Sequence, residues 1–280
     1  YLGLVDDKGN PLWAESIGGS GGRITATDIC FSADRQVLIC GNYRNIHIDN
    51  VVDESLGLAK EDTKIKTKIT AGSIGVPLTS LSSSNGLVQA FIGKFNRDNG
   101  KPIEVHVYGG KKMSNITSLA SDEEGNIYAG LSLYGEDLKI GGSIVHANSG
   151  TTMAIAKLDK DWNCVWHKSF DSPGADYVND LSLDGQKLYA AALVAGSKLN
   201  TDDAIYTATG IWSGALIRIN PNTGFAENVE HWEPGSALCI AMRDGKGYAG
   251  GWFHNSIHLA GETFTVGKEG QFNAILVRFG

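Results

Sequence analysis

Met153-Ala-Ile-Ala-Lys-Leu-Asp159 is an apolar run that closes on a basic residue and enters an acidic turn, and the chain repeats it. The same kind of run stands at 90–95, 214–219 and 273–279. Its basic residues are Lys94, Lys157, Arg218 and Arg278, which lie 63, 61 and 60 positions apart. A period of that length marks repeated structural units, and it decides the fold before any single element is read.

Working outward from the run, each repeat divides into four predicted strands, a to d, with the run as strand c. Strand a falls at 24–32, 116–121, 178–183 and 237–242. Strand b begins with an aromatic or aliphatic residue followed by small ones: Ile39-Cys40-Gly41, Tyr128-Ala129-Gly130, Tyr189-Ala190-Ala191 and Tyr248-Ala249-Gly250. Strand d is expected at 11–16, 103–108, 164–170 and 226–232, after turns rich in Asp, Asn and Gly. A small hairpin fits between b and c. Alternation is clear in these runs and helical periodicity is poor. The charged stretch 53–70 reads as a short helix or an excursion, within an insertion at 52–89 that lengthens the first repeat.

Four-stranded units repeated radially predict an all-β fold, a β-propeller of antiparallel blades. The chain runs c-d, then three a-b-c-d units, then a-b-c. Five blades, one of them split or incomplete, are expected in a single domain spanning 1–280, with four blades as the alternative. The stretches Asn126-Ile-Tyr-Ala-Gly130, Met153-Ala-Ile-Ala-Lys-Leu-Asp159 and Cys164-Val-Trp166 resemble the bacterial SBBP-type propeller repeats, whose layout is related to quinoprotein-like blades. The resemblance implies a propeller on an exported bacterial protein and supplies no catalytic residues.

Composition narrows the function classes. The 36 glycines against 6 prolines suit short strands joined by tight turns. A net charge of −7 argues against a nucleic-acid partner, which requires a concentrated basic surface. No apolar run reaches the length of a membrane-spanning helix. The opening Tyr-Leu-Gly-Leu-Val-Asp-Asp, with neither Met nor a leader pattern, leads to the expectation of a removed upstream segment and an extracellular or cell-surface location.

Internal repeats separate structural residues, which match from repeat to repeat, from functional ones, which break the pattern. Cys40 aligns with Ala129, Ala190 and Ala249 and reads as a small core residue; Cys30 falls near Leu119. Both are expected as free thiols, a cross-strand disulfide being the alternative. His47 and His258 align with Lys139 and read as solvent-facing, and no spacing suggests a metal site. The acidic turns after Asp6 and Asp159 lack the ligand series of a calcium loop and read as hairpin closures. No cofactor signature is present.

The b–c connections are long and the a–b and c–d turns short, so recognition is expected at the face where the b–c and d–a connections emerge. Its candidates are Tyr43, Tyr134, Asp202, Asp203, Tyr206, Trp212, Trp252 and His254. Trp13 and Trp166 share a strand-d position and read as packing residues, whereas Trp212, Trp232 and Trp252 break the repeat. The expected function is non-catalytic binding of a glycan or a surface protein through this face. The alternative is a carbohydrate-active enzyme, a glycoside hydrolase or lyase, with carboxylates at the central channel mouth; Asp176, Asp180, Asp202 and Asp203 are carboxylates that could pair in space.

Overall fold

The structure is a computed structural model that describes residues 2–15, 17–18, 23–44, 69–71, 74–76, 88–108, 113–147, 150–170, 172, 174–196, 198–200, 205–207, 212–259, 262–265 and 270–279. Every regular element among the described residues is a β-strand, and none is a helix long and apolar enough to cross a membrane. The chain divides into two compact units, Tyr1–Ile116 and Thr117–Gly280.

The first unit holds, in chain order, β1 (Leu2–Val5), β2 (Pro11–Glu15), β3 (Ile17–Gly18), β4 (Arg23–Phe31), β5 (Val37–Arg44), β6 (Ile69–Ala71), β7 (Ile74–Val76), β8 (Val88–Phe95) and β9 (Pro102–Tyr108). The pair β1–β2 is an antiparallel hairpin, the c-d unit read from the sequence. Strands β4-β5-β8-β9 form one four-stranded antiparallel sheet, and β3-β6-β7 form a small one. Ile39, Tyr43, Phe91 and Phe95 fill its core, with Trp13 packed against them. Val88 and Gln89, at the end of the insertion, already pair with Arg44 and Tyr43. Thr70, at the end of the charged stretch, lies in the strand β6 and not in a helix; residues 53–68 are outside the described residues.

The second unit completes β10 (Ser114–Ser121), which begins in the first. It continues with β11 (Ile127–Tyr134), β12 (Leu138–Ile140), β13 (Ser143–Val145), β14 (Thr151–Leu158) and β15 (Cys164–Phe170). The next repeat supplies β16 (Tyr177–Asp184), β17 (Lys187–Val194), β18 (Lys198–Asn200), β19 (Ile205–Thr207), β20 (Ser213–Ile219) and β21 (Ala226–Trp232). The last supplies β22 (Gly235–Arg243), β23 (Lys246–His254), β24 (Ser256–Leu259), β25 (Glu262–Thr265) and β26 (Phe272–Phe279). The sheets are β10-β11-β14-β15, β16-β17-β20-β21 and β22-β23-β26, and each b–c connection carries its own hairpin: β12–β13, β18–β19 or β24–β25.

These sheets are β-propeller blades, and consecutive blades are tied through their first strands. The carboxylate of Asp180 on β16 accepts the Ser118 hydroxyl of β10 at 3.1 Å and the Ile240 N–H of β22 at 2.8 Å. The Ser182 hydroxyl accepts the Met242 N–H at 2.9 Å. The sequence period is thus a spatial step, one blade wide. Between the sheets lie Met153, Ile155, Leu188, Ala190, Ile217 and their neighbours, all buried.

Strand pairing corrects the alignment of strand b by one residue. The basic residue of strand c faces Leu38, Tyr128, Tyr189 and Tyr248 in the successive blades. Counting from those partners, Cys40 shares its slot with Gly130, Ala191 and Gly250, not with Ala129. The slot is still small and enclosed: Cys40 is fully buried, and Cys30 and Cys40 are free thiols. Trp232 needs a second correction. It occupies the last-position slot of strand d, opposite Gly214, as Phe170 stands opposite Met153. A Cβ on Gly214 would come within 2.4 Å of the Trp232 ring, so the glycine admits a larger core residue within the repeat.

The acidic turns close hairpins. Asp6 accepts the N–H groups of Lys8 and Asn10, and Asp159 accepts those of Asp161 and Asn163. These bonds hold both carboxyls below the ordinary carboxylate value, through Asn10 and Asn163 above all.

Candidate aromatic binding site

At the hairpin end of the second unit, the strand-c start of one blade meets the strand-b end of the next. Trp212 immediately precedes β20, Trp252 and His254 end β23, and Phe272 opens β26. The rings of Trp212 and Trp252 meet edge to face at 6.2 Å, and Trp252 meets Phe272 the same way at 5.2 Å. The His254 ring lies 5.0 Å from Phe272. Edge-to-face contact directs the positive rim of one ring at the negative face of the next, a favoured arrangement at these separations. Trp212 and Phe272 remain 47% and 62% exposed, so the cluster presents an apolar ridge to solvent.

Backbone bonds hold the ridge in place. The Trp212 carbonyl accepts the Gly235 N–H at 3.1 Å, and the His254 N–H donates to the Pro234 carbonyl at 3.1 Å. The buried Trp232 indole donates to the Trp252 carbonyl at 3.3 Å. Aromatic side chains on strand ends fixed in this way lose little freedom when they engage a partner.

Three of the sequence candidates, Trp212, Trp252 and His254, are therefore brought together. Tyr43 is buried in the core of the first unit, where its hydroxyl donates to Gln89. Tyr206 packs, half-buried, against the core of the second unit. Tyr134 meets Tyr177 at 6.3 Å, apart from the ridge residues in the ring contacts. Asp202 and Asp203 lie outside the described residues, as does His47. Phe272 was missed by sequence reasoning, although a signal existed. It follows Trp212 by one period and, counted from the end of strand c, occupies the same slot, where the earlier repeats have Val88 and Thr151.

Two carboxylates singled out from the sequence have structural partners. Asp176, buried, accepts the Ser172 hydroxyl at 2.6 Å and the N–H groups of Ser172 and Ala195, fastening the turn before β16. Asp180 links blades as described above. Among the described residues no group of three or more His, Cys, Asp or Glu side chains is arranged to hold a metal ion.

No protein-family model matches the chain, and no curated protein matches it. Among solved structures, the WD40 domain of Neurospora crassa Pan2 is similar over 82% of this chain and 75% of that one, at 13% identity and a TM-score of 0.30.

Proposed function

We propose that this protein is an exported, non-catalytic binding propeller whose hairpin-end aromatic ridge takes up a protein ligand. The observation that carries the reading is the cluster of Trp212, Trp252, Phe272 and His254 on a fixed backbone frame, with Trp212 and Phe272 exposed. Exposed aromatic residues on rigid elements are the usual anchors of protein recognition. A glycan ring stacks best on an open aromatic face bordered by polar groups. Here the rings turn their edges into one another, which suits the apolar side chains of a peptide segment better. The likeness of the blades to SBBP-type repeats supports the exported, surface-facing part of the reading.

The test is panning of the purified protein against a random peptide display library, with a glycan array run beside it. Expected are peptides whose binding falls at least about tenfold, or 1.4 kcal/mol, in Trp212→Ala and Phe272→Ala. Glycan binding with the same ring dependence would replace a protein ligand by a sugar. Peptide binding that ignores both substitutions, or the absence of any ring-dependent binding in either format, would overturn the site.

A further inference from the structure

The blade of β16-β17-β20-β21 differs from its predecessor in the side chains at its short-turn end, away from the aromatic ridge. In the preceding blade one row at that end is Tyr128, Lys157 and Trp166 across three paired strands. It is closed. The Lys157 ammonium lies 5.2 Å over the Tyr128 ring, and Lys157 and Trp166 both donate to the Pro221 carbonyl, at 3.3 and 3.0 Å. The corresponding row one blade on is Tyr189, Arg218 and Asn228. Asn228 stands where Trp166 would fill the space, and Glu230 stands in the slot of Lys168.

A cavity of about 240 Å³ opens there, between Tyr189, Arg218, Asn228 and Glu230 on one side and Ile240 and Met242 on the other. It is framed rather than loose. Below it, Asp184 accepts the N–H groups of Asp244 and Gly245 at 2.9 and 2.6 Å, while Ser182 holds Met242. A second depression of about 470 Å³, lined by Gln186, Asn220, Asn222 and Glu227, shares Lys187 and Gly245 with the first.

The lining defines the ligand by exclusion. Arg218 Nε is held by Glu227 at 3.2 Å, Asn220 also donates to Glu227, and Asn228 donates to Glu230 at 3.4 Å. Two cations, Lys187 and Arg218, thus face three carboxylates, Asp184, Glu227 and Glu230. An anion such as phosphate would meet more negative than positive charge. A hydrocarbon would strip water from these groups and return no hydrogen bonds. Hydroxyl groups, which both donate and accept, satisfy amides, carboxylates and cations together. The Leu216, Ile240 and Met242 surfaces accept the C–H face of a ring. The Tyr189 hydroxyl, its pKa raised by burial, stays protonated as a further donor.

We propose that this inter-blade cleft is a binding site for a neutral saccharide of one or two pyranose units, the first ring against Tyr189 and Ile240 and the second over Asn220 and Asn222. The site is independent of the aromatic ridge and does not rest on it.

The test is amide NMR of the intact chain titrated with glucose, galactose, mannose, N-acetylglucosamine, maltose and cellobiose, with glucuronate and inorganic phosphate as anionic probes. Expected is saturable movement of the Arg218, Asn228 and Ile240 resonances with at least one neutral sugar. Asn228→Trp, which restores the residue of the preceding blade, should weaken it at least tenfold while the urea midpoint holds or rises. Glu230→Gln, which keeps the cavity open, checks the same loss without filling it and should weaken binding severalfold. Silence from every neutral sugar, tighter binding of either anion, or undiminished binding in Asn228→Trp would overturn the proposal.

Discussion

Cys40 shows how one side chain ties local chemistry to stability. Its thiol sits in a slot that admits only small groups, with the Thr27 hydroxyl 3.3 Å away. Burial raises its pKa from 9.0 to about 12, and the nearby Asp28 adds to the rise while the Thr27 contact lowers it. A thiol ionises freely in the unfolded chain near 9.0 but resists in the folded one, so the unfolded state loses its proton first. The contribution to stability is therefore complete below about pH 9 and is lost as pH rises toward 12. Urea midpoints at pH 8 and pH 10.5 check this: wild type should lose more stability over that interval than Cys40→Ala, in which the thiol is gone. Equal losses would mean that the thiol is not the titrating group. The exposed Cys239 should react with a thiol reagent in the native protein, and Cys40 only after unfolding.

At the scale of elements, strand d carries the staple between neighbouring repeats. Trp166 on β15 reaches the Pro221 carbonyl in the turn before β21, and its ring covers Gly224, where a Cβ would come within 2.7 Å of it. In the first unit Trp13 does the same, donating to the Arg97 carbonyl at 3.1 Å and lying against Gly100. Trp166→Ala removes this bond and the packing with Tyr128. It should cost about 2–4 kcal/mol, read as a lower urea midpoint with the fold retained. The period in Lys94, Lys157, Arg218 and Arg278 made the four-strand blades legible in the sequence, because the basic residue recurs in every one and a strand-b tyrosine faces it in three. The same comparison identified Trp13 and Trp166 as packing residues. It failed on the exact alignment of strand b, since Ala, Gly and Cys are interchangeable in tight slots and only pairing tells adjacent ones apart. The ridge was half legible: Trp212 and Trp252 stand out by type, whereas Phe272 is an ordinary strand residue until Trp212 is placed one period before it. The cleft was hidden for the opposite reason, because Asn228 looks unremarkable unless Trp166 is known to share its slot.

For the second unit as a whole, what matters is how its blades are coupled. A radial repeat in which each sheet touched its neighbours only through apolar contacts would tolerate sliding between them. Asp180 prevents that by accepting from Ser118 on one blade, from its own Leu181 N–H, and from Ile240 on the next. Asp180 directly follows the bulge in β16, where the pairing with β17 shifts register between Val178 and Asp180. Removing it leaves the Ile240 N–H, on a residue only 7% exposed, without this acceptor. Asp180→Ala should cost about 2–4 kcal/mol, the range for lost charge-assisted hydrogen bonds together with an orphaned donor. It should also change the form of unfolding. With the link between three blades gone, the blade of β22-β23-β26 is expected to open before the others, giving a broader transition with a smaller denaturant slope. Hydrogen exchange locates the effect: Ile240 and Met242 amides should lose protection while those of β14 keep theirs. A single sharp transition shifted without broadening would show instead that apolar packing alone couples the blades.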